Sequence, residues 1–319
     1  MNKKICVIGA GYWGSNHLKT LNKLNVLDGI LDLETKNFTK IKNLYPGIKC
    51  LTSLETALNM GFDGFTIATP AETHYKIAKN IIQAGQHVLI EKPMTLSVTE
   101  SEELVMLADK LNVKLMVGHV LLFHPAIIKI KEIMQQGLIG DLQYIYSNRL
   151  NLGKVRTEEN VFWSLAPHDI AIFQYLIGSF PLNVESKGSV FLQKGIPDST
   201  ITTLKYENNV EGHIFVSWLH PFKEHRLVVI GSKAMITFED SIEDKPLKLF
   251  SKKFDLINGV PEKIDGPVQW IPYEKMMPLE AELKYFIKAI QNDKMPMISN
   301  GEHGVEVMKI LVMASEQLT

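Results

Sequence analysis

The chain has 319 residues, 45% of them hydrophobic, and a formal charge of −1 from 34 Lys and Arg against 35 Asp and Glu residues. This length allows two domains of ordinary size, each with its own core. The balanced charge and the absence of a basic block argue against nucleic acid as a main partner, because a surface that follows phosphates shows clustered Lys and Arg.

Cysteine usage and apolar runs indicate the compartment. Cys6 and Cys50 form neither a disulfide framework nor a metal-ligand spacing, so we predict two core thiols, no metal site and a reducing compartment. The N-terminus enters a strand directly, without the apolar core of a signal peptide, and no apolar run approaches the roughly 20 residues of a membrane span. We therefore expect a cytoplasmic protein without a membrane partner.

The first element is an apolar run, Lys4 to Ile8, that breaks into Gly9-Ala10-Gly11-Tyr12-Trp13-Gly14. The run predicts a strand buried on both faces, and the glycines predict a tight turn into a helix. Gly9 would turn the chain, Gly11 would let the backbone approach a pyrophosphate, and Gly14 would let helix and strand pack closely. A plain strand-to-helix corner would use similar glycines. The turn is the predicted cofactor site, and it includes Tyr12 and Trp13.

An acid follows the next predicted strand, Gly29 to Asp32, 18 residues after Gly14. At about this interval a carboxylate can accept both hydroxyls of an adenosine ribose, and it would repel a 2′-phosphate. The pattern favours NAD over NADP. The alternative is that Asp32 caps a helix or lies in a loop, with Glu34 as a nearby competitor.

Strands and helices alternate from Ile48 onward, which predicts a parallel sheet with helices on both faces. Thr69 and Pro70 follow the predicted fourth strand at its carboxyl end, where ligands bind in open α/β sheets. Thr69 would contact the cofactor through its hydroxyl or backbone, and Pro70 would stop the strand. His74 is either a cofactor contact or the first residue of a helix.

The next predicted strand ends in Glu91-Lys92-Pro93. A lysine buried beside the dinucleotide site needs a partner, and burial brings the pKa of an amine toward the range of a general base. A solvated Glu–Lys pair at a strand end is the alternative.

These motifs together resemble the glucose–fructose oxidoreductase / inositol dehydrogenase (Gfo/Idh/MocA) family. The resemblance implies an α/β protein in which an N-terminal Rossmann domain, a doubly wound parallel sheet over residues 1–120, binds NAD. An α+β domain with a large open antiparallel sheet would follow over residues 121–319. The resemblance also implies that the nicotinamide lies between the domains with Lys92 beside it and the substrate, that Glu91 and Pro93 contribute to the cofactor site, and that the Lys92–Pro93 bond is cis.

A helix from Leu96 to Leu111 and a sixth strand from Val113 to His119 are predicted to complete the Rossmann half. His119 replaces what is often a polar neighbour of the substrate in the family, and it is included among the predicted substrate-binding residues. Phe123-His124-Pro125 resembles the family's entry into the second domain, with Ala126 to Met134 as the linking helix.

The second domain is predicted to begin with a strand of period two from Asp141 to Arg149. The expected loop after it carries three cations, Arg149, Lys154 and Arg156. They are either solvated surface charges or a site for phosphate, which the guanidinium fork matches well.

Residues 163–178 predict a helix with His168 at its N-terminal end, where the helix dipole disfavours the imidazolium and Asp169 offsets that effect. The resemblance implies a substrate-facing His at this point, in a pattern Asp-x-Gly-x-His. Here Ser164 and Ala166 stand in place of that Asp and Gly, so the usual carboxylate–His relay is in doubt. Trp163, His168 and Asp169 are predicted to bind substrate, with Lys92 and His168 as the catalytic residues.

Beyond Gly178, stretches of period two predict further strands of one antiparallel sheet. His220 and His225 are expected on the surface, in a loop between two of them. Residues 278–291 and 301–318 predict two closing helices with Met-rich core faces. A large sheet with one uncovered face needs a partner or helices over it, so we expect a homo-oligomer, a dimer or tetramer.

The predicted activity is NAD-dependent oxidation of a secondary hydroxyl on a sugar ring. Residues 163–169 resemble most closely the branch of the family that oxidises UDP-linked N-acetylhexosamines or their uronic acids at carbon 3 for surface-polysaccharide synthesis. The substrate would then be a sugar nucleotide. The alternatives are an inositol or free-aldose dehydrogenase, a reductase that works in the opposite direction, and a non-catalytic regulatory protein that senses NAD or sugar. Retention of Glu91-Lys92-Pro93 argues against the sensor.

Overall fold

A computed structural model describes residues 3–318 of the chain, which divide into two compact units. The first unit comprises the residues up to Phe123 together with Met276–Met308. The second comprises His124–Lys275 and the residues from Lys309 onward. The division at Phe123 lies close to the expected boundary at residue 120. The first unit also contains the 33 residues from 276 to 308, which the expected continuous domain 121–319 would place in the second unit.

The first unit is built on a six-stranded parallel sheet in the order β3-β2-β1-β4-β5-β6. The strands are β1 (Ile5–Ile8), β2 (Leu27–Leu31), β3 (Lys49–Leu51), β4 (Gly64–Ile67), β5 (His87–Glu91) and β6 (Leu115–Gly118). Strands β1, β4 and β6 are buried along their whole length, as expected of strands that helices cover on both faces. This order is that of the Rossmann fold, and the predicted fold of the N-terminal half is confirmed.

The helices that cover this sheet are α1 (Tyr12–Lys23), α2 (Phe38–Leu44), α3 (Leu54–Leu58), α4 (His74–Gln83), α5 (Val98–Lys110) and, from the C-terminal part of the chain, α9 (Pro278–Gln291). The sequence patterns do not predict α2, and the helices with predicted bounds end within three residues of them. The start of α10 (Gly301–Ser315) also belongs to this unit. Phe65, Ile81 and Ile90 are among the residues of one continuous hydrophobic core. The helices thereby hold the carboxyl ends of the strands, where the glycine turn lies.

The second unit is built on an eight-stranded sheet in the order β16-β13-β12-β11-β7-β10-β9-β8. Its strands are β7 (Leu142–Leu152), β8 (Asn183–Ser189), β9 (Ser199–Lys205), β10 (Glu211–Ser217), β11 (Leu219–Gly231), β12 (Met235–Glu239), β13 (Leu247–Phe250) and β16 (Val268–Trp270). All neighbours are antiparallel except β7 and β10. The large open sheet is confirmed, with this one parallel pair.

One face of the second sheet is covered and the other is open. The helices of this unit are α6 (Pro125–Gln135), α7 (Val161–Leu165) and α8 (Pro167–Ile177). Phe173 of α8 packs directly on Gly212 of β10, where a Cβ atom would lie 3.0 Å from the ring. Tyr144 and Ile201 lie on the open face and are exposed. A separate hairpin of β14 (Lys253–Ile257) and β15 (Val260–Ile264) completes the unit.

Two local predictions for this unit are wrong. Arg149 lies inside β7, which continues to Leu152, and not in a loop. His220 and His225 lie inside β11 instead of in a surface loop, and His225 is half-buried. Arg149 and His225 are paired with each other between β7 and β11, a tertiary effect that outweighs local composition, whereas His220 lies in an irregular stretch of β11 between Leu219 and Glu224. In the described part of the chain, no helix has the length and apolar character needed to cross a membrane.

Candidate active site

The glycine turn after β1 has the geometry of a dinucleotide-binding loop. Gly9 has φ of +93°, in the left-handed region that favours glycine. A Cβ atom on Gly14 would lie 1.9 Å from the Gly9 carbonyl oxygen, so only glycine fits there. By contrast, a Cβ atom on Gly11 would meet no atom within 4 Å. Gly9 and Gly14 therefore shape the turn, while the space over Gly11 is open to a ligand.

The first turn of α1 faces this open space with features that favour an anion. Gly11 is the N-cap residue, no side chain caps the helix, and its first turn contains no acid. The amide groups and the positive end of the helix dipole are therefore available to phosphates. Tyr12 is 88% exposed and Trp13 is 36% exposed, and their rings stack with centroids 6.4 Å apart. An exposed aromatic surface thus borders the turn.

Asp32 follows β2 and is tied to the same turn. Its Oδ2 accepts the amide hydrogen of Ala10 at 2.6 Å, and its Oδ1 accepts that of Glu34 at 2.7 Å. Each carboxylate oxygen keeps a further lone pair, so both can still accept a ribose hydroxyl. Glu34 instead pairs with Lys36 at the surface. The open cradle, the available amides and this carboxylate fit an adenine dinucleotide with a free ribose 2′-hydroxyl.

His74 joins the two turns that follow β4 and β5. It is the first residue of α4 and is buried, with one ring nitrogen 2.9 Å from the Thr69 carbonyl oxygen and the other 2.9 Å from that of Pro93. The Thr69 and Thr73 hydroxyls are 2.7 Å apart. His74 therefore fixes the Thr69-Pro70 turn against the Lys92–Pro93 peptide, which is cis as the family resemblance implied.

Glu91, at the end of β5, forms a buried pair that sequence reasoning missed. Its Oε1 lies 2.8 Å from Nε2 of His17 on α1, and its Oε2 accepts the Lys92 amide hydrogen at 3.3 Å. Gly118 of β6 faces this carboxylate, where a Cβ atom would lie 3.0 Å from Oε2. Glu91 is thus a buried carboxylate that supports the backbone of Lys92.

His119 lies beside Lys92 at the end of β6. Burial lowers the pKa of this imidazole well below its ordinary value, and His303 and then Lys92 lower it further. The His119 and His303 rings are 5.5 Å apart, and neither nitrogen of His119 has a hydrogen-bond partner among residues 3–318. A neutral, deeply buried imidazole therefore neighbours the predicted catalytic lysine.

In the second unit, Arg149 is held by a carboxylate. Its Nε and Nη2 donate to Asp169 at 2.7 and 3.1 Å, and its Nη1 lies 3.5 Å from Nδ1 of His225. Burial opposes the charge of Arg149, but Asp169 outweighs it and raises the pKa of the guanidinium. Burial and then Arg149 lower the pKa of His225 to about 3. Arg149 therefore anchors the start of α8, where His168 precedes Asp169.

The other cations of the predicted cluster remain at the surface. Lys154 is exposed, and the Arg156 side chain is 45% exposed with Nε 4.0 Å from a carboxylate oxygen of Glu159. Trp163 lies half-buried in α7, where its amide donates to the Asn160 side chain that caps the helix. Of the three cations, Arg149 is thus committed to a buried pair, while Lys154 and Arg156 are accessible.

The doubly wound sheet, the glycine turn and Asp32 together define a dinucleotide-binding protein. The family model described as "Oxidoreductase family, NAD-binding Rossmann fold" matches residues 3–119, and that of the GFO/IDH/MocA C-terminal domain matches residues 127–237. The chain belongs to the Gfo/Idh/MocA family of oxidoreductases, with NAD as cofactor. The family, the cofactor and the class of enzyme predicted from the sequence are confirmed.

Relatives match over much or nearly all of the chain. UDP-N-acetylglucosamine 3-dehydrogenase of Acidithiobacillus ferrooxidans is 27% identical over 95% of this chain and 93% of its own length. scyllo-Inositol 2-dehydrogenase (NAD(+)) of Bacillus subtilis is 24% identical over 75% and 71%.

Solved structures share the fold over the full length. The structure of UDP-N-acetylglucosamine 3-dehydrogenase GnnA from A. ferrooxidans aligns with a TM-score of 0.87 at 23% identity, covering 100% of this chain and 98% of that one. GenD2 from gentamicin A biosynthesis, in complex with NAD, aligns with a TM-score of 0.80 at 19% identity, covering 99% and 94%.

Proposed function

We propose that the protein oxidises a secondary hydroxyl on the sugar ring of a UDP-linked N-acetylhexosamine, or of its uronic acid, at carbon 3. The observation that carries this proposal is the extent of the match to UDP-N-acetylglucosamine 3-dehydrogenase, 95% of this chain against 75% for the inositol dehydrogenase of B. subtilis. The match to UDP-N-acetylglucosamine 3-dehydrogenase therefore covers a larger part of this chain than the match to the inositol dehydrogenase, and it reaches well beyond the cofactor-binding domain.

Lys92 is the residue to which we assign proton transfer. In oxidation the amine of Lys92 takes the proton of the substrate hydroxyl. The hydrogen on the carbon that bears this hydroxyl leaves as a hydride. NAD, when bound, supplies the hydride acceptor. In the reverse direction the ammonium of Lys92 returns the proton to the carbonyl oxygen. Glu91 supports this role because it holds the Lys92 backbone through the amide hydrogen.

His168 is the second residue to which we assign a catalytic role. It precedes Asp169 in α8, and Arg149 fixes Asp169 through two hydrogen bonds. Ser164 stands at the position where the family resemblance implies a carboxylate, so this chain has no acid at that position. The task assigned to His168 is to orient the reacting hydroxyl, with Lys92 exchanging the proton.

The accessible cations support the choice of a sugar nucleotide over a free sugar. Lys154 and Arg156 lie at the surface, and a diphosphate carries negative charge that a free polyol lacks. Trp163 and His119 complete the proposed substrate-binding set. The product would be a keto sugar for surface-polysaccharide synthesis in the cytoplasm. The exposed apolar residues on the open face of the second sheet, Tyr144 and Ile201, support assembly into a homo-oligomer.

The test is a steady-state assay with NAD that follows the absorbance of reduced nicotinamide across matched substrates. We expect kcat/KM for UDP-N-acetylglucosamine or its uronic acid to exceed that for free N-acetylglucosamine, glucose and inositols by about 100-fold or more, since anchoring the diphosphate positions the sugar. Equal or greater activity on an inositol or free aldose would move the enzyme to that branch. Binding of NAD and sugar by calorimetry without turnover in either direction would identify a sensor instead.

A further inference from the structure

His17 of α1 is a buried histidine that the mechanism described above does not use. Its side chain is fully buried, and Nε2 lies 2.8 Å from Oε1 of Glu91. The other ring nitrogen, Nδ1, has no hydrogen-bond partner among residues 3–318. Within that part of the chain, the imidazole therefore directs its polar contact at Glu91.

The stability of this contact between α1 and β5 does not by itself require polar groups. When both partners of a buried hydrogen bond are replaced by apolar groups of the same shape, the change in stability can be close to zero. Removing only one partner is costly, because the other is left buried and unsatisfied. A role for the His17–Glu91 pair is therefore to be sought in what Glu91 holds with its second oxygen.

Glu91 carries the contact on to Lys92. Its Oε2 accepts the Lys92 amide hydrogen at 3.3 Å, so one carboxyl group meets His17 at one oxygen and the backbone of Lys92 at the other. Gly118 of β6 leaves room for this group, because a Cβ atom there would lie 3.0 Å from Oε2. A carboxyl group that is held at Oε1 has little freedom to rotate Oε2 away from the amide.

The backbone on the other side of Lys92 is held by a second histidine. The ring nitrogens of His74 on α4 each lie 2.9 Å from a carbonyl oxygen, one of Pro93 and one of Thr69. Buried imidazoles from α1 and α4 thus act before and after Lys92. The side chain of Lys92 consequently starts from a backbone that is fixed at both ends.

We propose that His17 is a positioning residue for Lys92, which it holds in place through the carboxyl group of Glu91. The proposal follows from the two contacts of Glu91, whichever partner of the buried pair carries the hydrogen. Helix α1 also has the uncapped N-terminus at the glycine turn, so the same helix serves the cofactor site and the lysine. The effect on catalysis rests on the proposed role of Lys92, whereas the effect on the Lys92 backbone does not.

Two amide variants of different length isolate the contact with Glu91. The Gln amide is separated from Cα by the same number of bonds as Nε2 of His, and the Asn amide by the same number as Nδ1. His17→Gln therefore keeps a polar atom within reach of Oε1 of Glu91, whereas His17→Asn does not. An amide group both donates and accepts, so the comparison does not depend on the tautomer of His17.

Leu18→Ala is the control for a loss of stability alone. Leu18 is the buried neighbour of His17 on α1, and its truncation removes packing while the His17–Glu91 pair is untouched. The melting temperatures of all variants show that each is folded under the assay conditions. Any effect of weaker packing on catalysis or exchange would then appear in Leu18→Ala as well.

The first experiment follows the exchange of the Lys92 amide hydrogen by NMR, in the full chain with isotope-labelled lysine. The Lys92 signal is the one that is missing from Lys92→Arg. In His17→Asn this amide should exchange about five- to tenfold faster, because local opening no longer breaks a well-held hydrogen bond. In His17→Gln and Leu18→Ala it should stay within about threefold of the unmodified protein. Unchanged exchange in His17→Asn would overturn the proposal.

The second experiment measures kcat and KM with NAD and UDP-N-acetylglucosamine. His17→Asn should lower kcat by about tenfold or more with KM for NAD within about threefold, because Lys92 shifts while the glycine turn and Asp32 are unaltered. His17→Gln and Leu18→Ala should retain kcat within about threefold. An equal loss of kcat in His17→Asn and either of the other two variants would refute the positioning role. Normal turnover of Lys92→Ala would instead overturn the proposed role of Lys92, and the exchange result would stand without it.

Discussion

The glycine turn of the first unit and the cation region of the second are built in different ways. Backbone geometry shapes the glycine turn, because Gly9 needs a positive φ and Gly14 has no room for a Cβ atom. Side-chain pairing shapes the cation region, because Arg149 is buried only with Asp169 beside it. A motif of small residues therefore predicted the shape of the glycine turn from the sequence. The arrangement of the cation region became visible only in the tertiary structure. Of the three cations that are close in sequence, Arg149 forms a buried pair with Asp169, whereas Lys154 and Arg156 lie at the surface.

The largest expected effect is on proton transfer in the first unit. Lys92→Ala should lower kcat by roughly 10²- to 10⁴-fold, the usual contribution of general acid–base catalysis. NAD affinity, measured by calorimetry, should stay within about threefold because Asp32 and the glycine turn are untouched. Lys76→Ala is the matched control, since it removes an exposed lysine of the same unit. Near-normal turnover of Lys92→Ala would transfer the role to His168.

The next effect concerns the stability of the second unit. Arg149→Leu should lower the free energy of unfolding by about 3–5 kcal/mol, because it leaves Asp169 charged and buried without its partner. Arg156→Leu, at an exposed cation, should change it by less than about 0.5 kcal/mol. Denaturant melts followed by tryptophan fluorescence measure both. Combining Arg149→Leu with Asp169→Leu should restore much of the lost stability. Equal destabilisation by Arg149→Leu and Arg156→Leu would refute the distinction between buried and surface cations.

Cofactor selection by Asp32 comes third. Asp32→Ala should weaken NAD binding by about 10- to 100-fold, as expected from losing hydrogen bonds to a charged group, and should narrow the preference over NADP. Glu34→Ala, which changes a surface acid two residues away, should leave both affinities nearly unaltered. Calorimetric titration of each protein with NAD and with NADP measures these affinities. Equal affinity of the unmodified protein for NAD and NADP would contradict the role of Asp32 in selecting NAD.

The smallest expected effect is at the surface cation Arg156. Arg156→Ala should raise KM for the UDP-linked sugar about three- to tenfold with little change in kcat, since an exposed contact contributes roughly 1 kcal/mol. The increase should shrink as salt is added, because salt screens exposed charges. The KM values at two ionic strengths provide the comparison, and an unchanged KM at low salt would place Arg156 outside the diphosphate site.

Sequence patterns predicted the elements better than they predicted the side-chain partners. The helix and strand periods predicted the strands and most helices of the Rossmann half, although not α2, since propensity and burial agree there. The pair between Glu91 and His17 joins residues 74 positions apart. Such a spacing leaves no local signal in the sequence. The polar part of β11 was missed because pairing with β7 and β12 outweighs composition.

In the proposed reaction, the carbon 3 hydrogen of a UDP-linked N-acetylhexosamine leaves as a hydride while Lys92 takes the hydroxyl proton. The most direct test uses UDP-N-acetylglucosamine deuterated at carbon 3, with the substrate deuterated at carbon 4 as control, and mass spectrometry of the reduced cofactor. We predict that the reduced nicotinamide gains one deuterium from the substrate labelled at carbon 3 and none from the substrate labelled at carbon 4. Label transfer from carbon 4, or cofactor reduction without label from carbon 3, would contradict it.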